Sequence, residues 1–537
     1  MPAAEVDQAN KGEIPFVHDV LIVGAGPCGL AVAARLREIT PSALFTDDEH
    51  HRYHWIARNA PIKARKNGRL KAGNMSPSLK GNEGGRDACS MKGPCMLVLD
   101  GSGDNWLSKW RSLFKKLEIS HLRSPMFFHP DPRDRDGLLA YAYAEDRSCE
   151  CYEITGCVGK EVSKHKQKKR RYRNAHMPPS IEERDRKDYF APSRALFDDY
   201  CNGIVDRYGL DETGLVRQEK VVDVDFDLML NLDPNDKIFK VRTDQSIYYA
   251  RAVVMAVGAG RPPSIPEPLA DPDCPCICHA LAPNFSTSKV AGCNVLVVGG
   301  GLTSAQTADQ AVRRGACHVH LIMRGPLKIK PFDVDLNWMG KFHNNEKASF
   351  WSADTDCERA SVIQSARGGG SIPPRYVTLL KQHVRTGRLT IHTYTTLESH
   401  HYDPSLGTAS VKTEPPLSDL PRFEMIYFAT GVPSKVDEIE CLRTINVKYP
   451  VEAFGGLPAL TNDLKWREDV PLYVTGKFAG LRLGPGAGNL EGARLGAERI
   501  AWALENPDED NLSEDIGAGA SRYAMGIGSM FEQLPMA

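Results

Sequence analysis

The sequence predicts an α/β fold in which one nucleotide-binding domain is inserted into another. Two glycine turns, about 275 residues apart, each follow an apolar strand and precede a helix-like segment. Apolar runs that end in glycine return after the second turn, at 425–431 and 472–476, as expected where a chain crosses back into its first domain. Together these observations predict two Rossmann-like dinucleotide-binding domains.

The first glycine turn has the spacing Gly-x-Gly-x-x-Gly. Gly24 permits the tight turn, Gly26 lets the backbone approach a pyrophosphate, and Gly29 allows the helix to pack closely on the strand. A second predicted strand at 43–46 ends in Asp47, where an acid would meet a ribose hydroxyl. This combination favours an FAD site. The alternative is a plain glycine turn between strand and helix, which would not require the acid.

The second glycine turn repeats the pattern near residue 300. Ser304 stands where the third glycine would be, and a small residue there still permits close packing. The next strand, at 318–323, ends in Arg324 rather than in an acid, which suits the 2′-phosphate of NADPH because a guanidinium binds phosphate in a bidentate way. The alternative for Arg324 is a solvated charge at a strand end. The candidate NADPH contacts are Gly299, Gly301, Thr303, Ser304 and Arg324.

The composition of the 537 residues is that of an ordinary globular protein, with 42% hydrophobic and 25% charged residues. A net charge of −1 gives no global field that would favour nucleic acid or an anionic membrane. The chain lacks an apolar run of the length of about 18 residues that a membrane span needs, and residues 1–13 are polar, unlike a signal peptide. We therefore predict a cytoplasmic protein with no nucleic-acid partner and no membrane span.

Six of the 14 cysteines form two local clusters, without the paired Cys-x-x-Cys spacing of a zinc ribbon or a thioredoxin-like site. For a cytosolic chain we expect free thiols and no metal. The clusters are Cys149, Cys151 and Cys157, and Cys274, Cys276 and Cys278.

The order of motifs predicts the following division of the chain. An FAD domain occupies 15–285 with an irregular substrate-side insert at about 50–215, an NADPH domain occupies 286–420, the FAD domain returns at 421–507, and a tail follows at 508–537. A dense basic run at 160–173 is interpreted as an exposed loop or helix face, with a nucleic-acid contact or a localisation signal as the alternative.

Several segments resemble one enzyme group. The two glycine turns, the strand end Ala429-Thr430-Gly431 and the segment 303–306 are similar to those of two-dinucleotide flavoprotein monooxygenases, within the lysine/ornithine N-monooxygenase superfamily. The segments 122–130, 323–326 and 333–338 resemble the oxidative-stress-induced growth inhibitor-like branch and its fungal relatives. The resemblance implies FAD and NADPH as cofactors. It also implies oxygenation of a small organic substrate by O2 through a C4a-(hydro)peroxyflavin, with N-hydroxylation favoured and a role in secondary metabolism plausible.

The resemblance also suggests residues near the flavin. Thr430, Gly431 and Gly476 would close on it, Trp55 would pack against its ring, and His129 and Asn74 are the catalytic candidates. The N-hydroxylase substrate segment has only a loose counterpart at 74–80, with Lys80 at the carboxylate position, which puts an ornithine-like substrate in doubt. The linker motif of Baeyer–Villiger enzymes is absent before His279, which makes a Baeyer–Villiger reaction less favoured.

Two other functions stay open at the level of the sequence. One is a flavin-dependent reductase or oxidase that does not insert oxygen, although the missing Cys-x-x-Cys argues against a disulfide reductase. The other is a non-enzymatic regulator that retained the nucleotide fold. The sequence predicts neither the oligomeric state nor the identity of the substrate.

Overall fold

A computed structural model describes most of the chain. The described residues are 15–38, 41, 43–44, 93–157, 183–229, 232–260, 262–271, 274–339, 343–432 and 435–505. Several sequence-predicted features lie outside them, namely Asp47, Trp55, Asn74, Lys80, the basic run at 160–173 and the tail at 508–537. Within the described residues, none of the helices has both the length and the apolar character needed to cross a bilayer.

The strands and helices are numbered in chain order. The strands are β1 Val17–Val23, β2 Met96–Leu99, β3 Tyr152–Glu153, β4 Phe190–Ala191, β5 Val216–Arg217, β6 Val221–Met229, β7 Asp233–Thr243, β8 Ile247–Met255, β9 Ile277–His279, β10 Asn294–Val298, β11 His318–Met323, β12 Leu389–Thr393, β13 Thr396–Asp403, β14 Thr408–Glu414, β15 Met425–Phe428, β16 Ala453–Phe454, β17 Leu457–Pro458, β18 Lys465–Arg467 and β19 Val470–Val474. The helices are α1 Pro27–Arg37, α2 Ser108–Lys116, α3 Gly137–Ala144, α4 Glu183–Asp188, α5 Arg194–Arg207, α6 Leu302–Arg313, α7 His343–Trp351, α8 Asp356–Arg367, α9 Pro374–Arg385, α10 Arg443–Lys448, α11 Gly480–Leu483 and α12 Leu490–Glu505.

The first sheet has the strand order β18-β19-β8-β1-β2-β5, with the β6–β7 hairpin attached to β8. Its centre is parallel, because β1 pairs in parallel with β2 and β8, and β8 pairs in parallel with β19. The apolar runs that predicted β1 and β8 are buried, as expected for parallel strands covered on both faces. As a result, the carboxyl ends of β1, β2, β8 and β19 all meet at one edge.

The second sheet has the order β12-β11-β10-β15-β9, and all of its pairings are parallel. Alternate residues of β10 point to opposite faces. Val295 and Val297 belong to the core formed with α6 and α9, whereas Leu296 belongs to a separate core formed with the β13–β14 hairpin. The second sheet is therefore covered by helices on one face and by a hairpin on the other.

The α/β prediction with two Rossmann-like sheets is confirmed, but the chain changes sheets at different positions from those expected. The segment at 425–431 was predicted to return to the first domain, yet β15 pairs with β10 in the second sheet. Strand β9 also pairs with β15, although it lies before the expected boundary at 286. The crossings between the sheets therefore fall between β8 and β9 and after β15, because these strands complete the second sheet.

The segment after β11 leaves the second sheet and packs on the first domain. Side chains of this segment, among them Phe332, Trp338 and Phe350, belong to the core of the first sheet. Ion pairs join this segment to α11 and α12: Asp356 pairs with Arg482, and Lys347 pairs with Glu491. Helices α7 and α8, which lie in this segment, are therefore attached to the first domain.

Arg123, in the first domain, binds the segment between β11 and α9. Its guanidinium donates hydrogen bonds to the carbonyls of Lys330 (3.0 Å) and Phe332 (2.6 Å) and to the hydroxyl of Ser371 (2.8 Å). These acceptors lie near the two ends of the segment between β11 and α9. One side chain of the first domain therefore binds both ends of that segment.

Candidate functional site

The first glycine turn lies at the carboxyl edge of the first sheet, directly after β1. Gly24 has φ +112°, and a Cβ there would lie 2.5 Å from the carbonyl oxygen of Ala256, after β8. A Cβ on Gly29 would lie 2.0 Å from the carbonyl oxygen of Gly24. Gly26, in contrast, has open space within 4 Å of the position of its missing Cβ. The turn is therefore closed against the protein at Gly24 and Gly29 and open at Gly26, where a phosphate would approach.

Helix α1 begins at this turn without a side-chain cap. Gly26 is its N-cap residue, and Pro27 occupies the first helical position, where its missing N–H costs nothing. The remaining N–H groups of the first turn have no partner within the helix, and they carry the positive end of the helix dipole. The arrangement matches an anion site for a pyrophosphate.

The segment predicted to lead to the ribose acid is described only at its start. Ala43 and Leu44 form a turn, and the N–H of Ala43 donates to the carbonyl of Pro132. The strand beside β1 is β2, with Val23 opposite Leu99, and it is followed by Asp100. Asp47 lies outside the described residues, and the structure offers Asp100 in its place.

Asp100 is held at the first glycine turn by two hydrogen bonds. Its carboxylate accepts the backbone N–H of Ala25 at 2.8 Å and that of Ser102 at 2.7 Å. The carbonyl of Ala25 accepts the N–H of Leu107, also at 2.8 Å. The signal for this residue was present in the sequence, as a short apolar run that ends in an acid, but 58 residues separate α1 from β2.

The second glycine turn has the same construction at the edge of the second sheet. Gly299 has φ +149°, and a Cβ there would lie 2.4 Å from the carbonyl oxygen of Ala429. The N–H of Gly299 donates to Ile322 at 2.9 Å, just as that of Gly24 donates to Leu99 at 2.8 Å. Gly301 begins α6, again without a side-chain cap. The two turns are therefore built alike, each with an uncapped helix N-terminus, but a Cβ on Gly301 would lie 3.6 Å from the Cα of Gly370, whereas the space at Gly26 is open.

The other residues predicted for the second turn fall into two groups. Arg324 is exposed and directly follows β11, beside the turn, where a charged ligand group can reach it. Thr303 is half-buried in the first turn of α6. Ser304 is fully buried, and its hydroxyl donates to the carbonyl of Gly301 at 2.7 Å, so its side chain serves the helix start.

A glycine-rich loop that the sequence analysis did not single out covers the second turn. A Cβ on Gly370 would lie 3.0 Å from the carbonyl carbon and oxygen of Gly300 and 3.0 Å from the Cα of Gly301. Gly368 and Gly369, with φ +62° and +83°, bring the chain to this point. Three consecutive glycines were the available signal, and they mark a close approach of two backbones.

The residues predicted to close on the flavin lie at two different places. Thr430 and Gly431 are exposed and follow β15, so they flank the second glycine turn rather than the first. Gly476, with φ +72°, follows β19 at the edge of the first sheet. A Cβ on Gly476 would lie 3.3 Å from the sulfur of Cys28 in α1. Only Gly476 therefore adjoins the first turn.

Buried polar atoms without a protein partner surround this end of the first domain. Among the described residues they include Thr475 Oγ1, Asn489 Nδ2, and Nε and Nη1 of Arg494. Arg494 lies in α12, and burial lowers the pKa of its guanidinium to about 10, so it is charged at neutral pH. Nη2 of Arg494 donates to the carbonyl of Phe127 at 3.1 Å, but its other two nitrogens and the two neutral groups have no partner among the described residues, which is costly unless a bound molecule satisfies them. FAD, with its pyrophosphate and polar ring edge, fits this set.

His129, a catalytic candidate, is a buried part of the protein framework. Its Nε2 lies 2.9 Å from the carbonyl oxygen of Arg135, and its ring meets that of Tyr200 edge to face at 5.3 Å. Burial and the nearby Arg494 guanidinium lower the pKa of His129 to about 3. The ring is therefore neutral at neutral pH and cannot act there as a general acid.

Part of the chain matches a known protein family. Residues 185–431 match the family model of L-lysine 6-monooxygenase/L-ornithine 5-monooxygenase. This stretch includes the second glycine turn, Arg324 and the strand end at Thr430. No curated protein sequence matches the chain significantly.

Solved structures of a monooxygenase and of two ornithine hydroxylases share the fold. The cadaverine monooxygenase DfoA of Erwinia amylovora, bound to FAD, is 14% identical, with 92% of this chain and 95% of that chain covered at a TM-score of 0.57. For the ornithine hydroxylase PvdA of Pseudomonas aeruginosa the identity is 15%, the coverage 91% and 99%, and the TM-score 0.58. For the ornithine N-hydroxylase KtzI of Kutzneria sp. 744 the identity is 14%, the coverage 92% and 100%, and the TM-score 0.58.

Proposed function

We propose that the protein is an NADPH- and O2-dependent flavin monooxygenase that oxygenates a small organic substrate, with an amine nitrogen as the favoured acceptor. The observation that carries this proposal is the pair of equivalent, uncapped glycine turns, one beside an acid and one beside an arginine. The family match over residues 185–431 and the fold shared with N-hydroxylases support a place in the flavin N-monooxygenase superfamily.

The first site is assigned to FAD. Gly24, Gly26 and Gly29 shape the phosphate turn, and the N-terminus of α1 faces it. Asp100 replaces Asp47 as the acid for the ribose hydroxyls, because it directly follows the strand beside β1. Arg494 supplies a buried positive charge to the bound cofactor, and Gly476 lets the chain pass close to it.

The second site is assigned to NADPH. Gly299 and Gly301 form the turn, and the N–H groups at the start of α6, including that of Thr303, face the pyrophosphate. Arg324 is positioned to bind the 2′-phosphate. The loop that contains Gly370 packs against the turn and fixes its backbone.

When bound, FAD supplies the redox chemistry, accepting hydride from NADPH and activating molecular oxygen. The protein positions the two cofactors and keeps water away from them. Arg123 contributes to the positioning, since it donates hydrogen bonds to the segment between β11 and α9, whose Gly370 packs against the second turn. For an amine, the balance is one O2, one NADPH and one proton consumed, with hydroxylamine, NADP+ and water as products.

A dithiol reductase is less well supported. Cys28 is the thiol next to Gly476, and burial raises its pKa to about 12. The thiol is therefore protonated at neutral pH and is a poor redox nucleophile. We favour oxygen insertion over dithiol chemistry for this reason.

Within the superfamily we place the chain nearest the oxidative-stress-induced growth inhibitor-like branch and its fungal relatives, on its segments 122–130, 323–326 and 333–338. Arg123 in the first of these segments binds the segment between β11 and α9, as described above. A cytoplasmic location and a role in secondary metabolism are part of the same proposal.

An oxygen balance tests the proposed function. The FAD-loaded full-length protein is supplied with NADPH, and the oxygen consumed is compared with the hydrogen peroxide released, with and without L-lysine, L-ornithine, cadaverine and aromatic amines. A substrate of a monooxygenase lowers the peroxide yield per oxygen consumed. Stoichiometric peroxide with every compound would support a reductase or oxidase, and a protein that fails to bind FAD would support the regulator.

A further inference from the structure

A cluster of metal-ligand side chains lies away from both glycine turns, on the hairpin-covered face of the second sheet. Ligand atoms of Asp271, Cys274 and His400 all lie within 4.8 Å of one another. The sulfur of Cys276 lies 3.0 Å from that of Cys274. Asp271 to Cys276 belong to the crossing between β8 and β9, whereas His400 lies on β13, so the cluster joins two separate parts of the chain.

The cluster is buried on its protein side and open at one carboxylate. Cys274 and Cys276 are 5% and 2% exposed. The His400 side chain is 8% exposed, and its Nε2 lies 3.4 Å from an oxygen of Asp271, whose side chain is 41% exposed. The other ring nitrogen of His400, Nδ1, is buried and has no hydrogen-bond partner among the residues that the structure describes. A buried imidazole nitrogen without a partner costs free energy unless a proton acceptor, a donor or a metal ion satisfies it.

We propose that Asp271, Cys274 and His400, with Cys276 as the fourth ligand, bind a zinc-class divalent cation. The donor set decides the class of metal, because thiolate and imidazole select zinc over the hard cations calcium and magnesium. Each thiol that becomes a ligand loses its proton to the solvent, so binding releases protons and leaves the metal oxidation state unchanged. The thiols of Cys274 and Cys276 are free in the structure, as the sequence analysis expects, and the proposal adds a metal ion that the spacing of the cysteines alone did not indicate, since His400 is 124 residues distant from Cys276 in the chain.

The separation of the two sulfurs is compatible with this role after a small movement. Two thiolates on a tetrahedral zinc ion, each at about 2.3 Å from the metal, lie about 3.8 Å apart. The present separation of 3.0 Å is also well above the length of a disulfide bond, about 2.05 Å. Cys276 is not among the three residues whose ligand atoms all lie within 4.8 Å of one another, so its side chain must rotate toward Asp271 and His400 to complete the site.

The proposed metal ion would stabilise the fold and would take no part in catalysis. The β13–β14 hairpin packs on the second sheet through a small core, in which Leu397 and Ala409 meet Leu296 and Phe428. A metal ion shared by Cys274 and His400 fastens the hairpin to the chain segment that enters the second sheet. This role is independent of the proposed function, since it requires neither FAD nor NADPH.

Metal content and cobalt spectroscopy of the full-length protein test the proposal. The protein purified from zinc-supplemented cells is expected to retain zinc in an equimolar amount after dialysis. Co2+ added to the metal-free protein is expected to give a thiolate-to-cobalt charge-transfer band and the visible bands of a tetrahedral ion. Cys274→Ser and His400→Asn are expected to weaken Zn2+ binding by more than the roughly 10–100-fold that loss of an outer-shell partner costs.

Two matched controls and a thiol-protection measurement keep the test independent of folding. Cys317→Ser and His401→Asn change exposed residues of the same types in the second domain and are expected to bind Zn2+ like the parent. In the parent, Zn2+ is expected to slow alkylation of Cys274 and Cys276 but not of Cys317. Equal alkylation with and without Zn2+, unchanged binding by His400→Asn, or a disulfide between Cys274 and Cys276 in freshly purified protein would overturn the proposal.

Discussion

The carboxylate of Asp100 accepts a hydrogen bond of 2.8 Å from the backbone N–H of Ala25, which joins the end of β2 to the first glycine turn. Asp100→Ala removes both this hydrogen bond and the proposed ribose acceptor. We expect the Kd for FAD to rise at least tenfold, about 1.4 kcal/mol, with a smaller rise for Asp100→Asn, which retains one acceptor oxygen. Flavin fluorescence measures the affinity. Asp104→Ala, at an exposed acid in the same loop, is the control, and unchanged FAD binding by Asp100→Ala would refute the assignment.

Arg324 is the residue expected to discriminate between NADPH and NADH. Because only NADPH carries the 2′-phosphate, Arg324→Ala is expected to raise the KM for NADPH by about tenfold or more, the cost of one charge-assisted contact of roughly 1.5–3 kcal/mol, while the KM for NADH changes little. Steady-state oxidation of both cofactors measures the difference. Lys381→Ala, at an exposed cation of α9, is the control. An equal loss for NADPH and NADH would show that Arg324 does not bind the 2′-phosphate.

The loop at Gly370 packs against the backbone of the second glycine turn. In Gly370→Ala the new methyl group would lie 3.0 Å from backbone atoms of Gly300 and Gly301, so the turn or the loop must move. Overpacking of this kind costs about 1–3 kcal/mol. We expect a higher KM for NADPH with unchanged FAD content. Gly203→Ala, in α5 with open space around the new methyl, is the control, and a Gly370→Ala enzyme with parental kinetics would contradict the described contact.

The buried Arg494 has a different effect on the free and the FAD-bound protein. Replacing it with Met removes a buried charge that lacks an acidic partner, so the FAD-free protein is expected to keep or raise its Tm, whereas the rise in Tm on adding FAD becomes smaller. Arg35→Met provides the contrast. Arg35 pairs with Glu498 at 2.7 Å, and its loss is expected to destabilise both forms by about 3–5 kcal/mol. An undiminished FAD-induced shift in Arg494→Met would exclude the contact with the cofactor.

The buried, neutral His129 predicts a pH dependence of stability. Its pKa is about 3 in the folded protein, below the ordinary value of 6.5, so the unfolded chain binds a proton that the folded protein does not. The stabilising contribution is fully present above pH 6.5 and decreases as the pH falls from 6.5 toward 3. For one proton the slope is about 1.4 kcal/mol per pH unit.

Chemical denaturation of the parent and of His129→Gln at several pH values measures this slope. The variant, which cannot take up the proton, is expected to lose less stability than the parent between pH 6.5 and 5, by up to about 2 kcal/mol. His401→Gln, at an exposed histidine of β13, is the matched control. Identical pH slopes for the parent and His129→Gln would show that the pKa of His129 is not lowered in the folded protein.

The sequence was sufficient for features that depend on local pattern. Strand β1 and Gly24, and β10 and Gly299, were predictable because an apolar run, a glycine turn and a helix follow one another within a short stretch. The final helix, α12, and the end of β19 at Gly476 were predictable for the same reason.

Features that depend on distant pairing were not predictable in this way. Asp100 was missed because β2 is only four residues long and follows a long segment, so an earlier acid fitted the motif equally well. Thr430 was assigned to the first domain because sheet membership is decided by pairing with β10, which no local pattern shows. Gly370 and His400 matter through contacts with residues far away in the chain.

The most direct test of the central claim follows the fate of oxygen. The FAD-loaded protein is incubated with NADPH, isotopically labelled O2 and the compound that most lowers peroxide release, and the product is analysed by mass spectrometry. The account predicts a product that contains one labelled oxygen atom per molecule of NADPH oxidised in the coupled reaction. Labelled oxygen found only in hydrogen peroxide and water, with no labelled organic product, would contradict it.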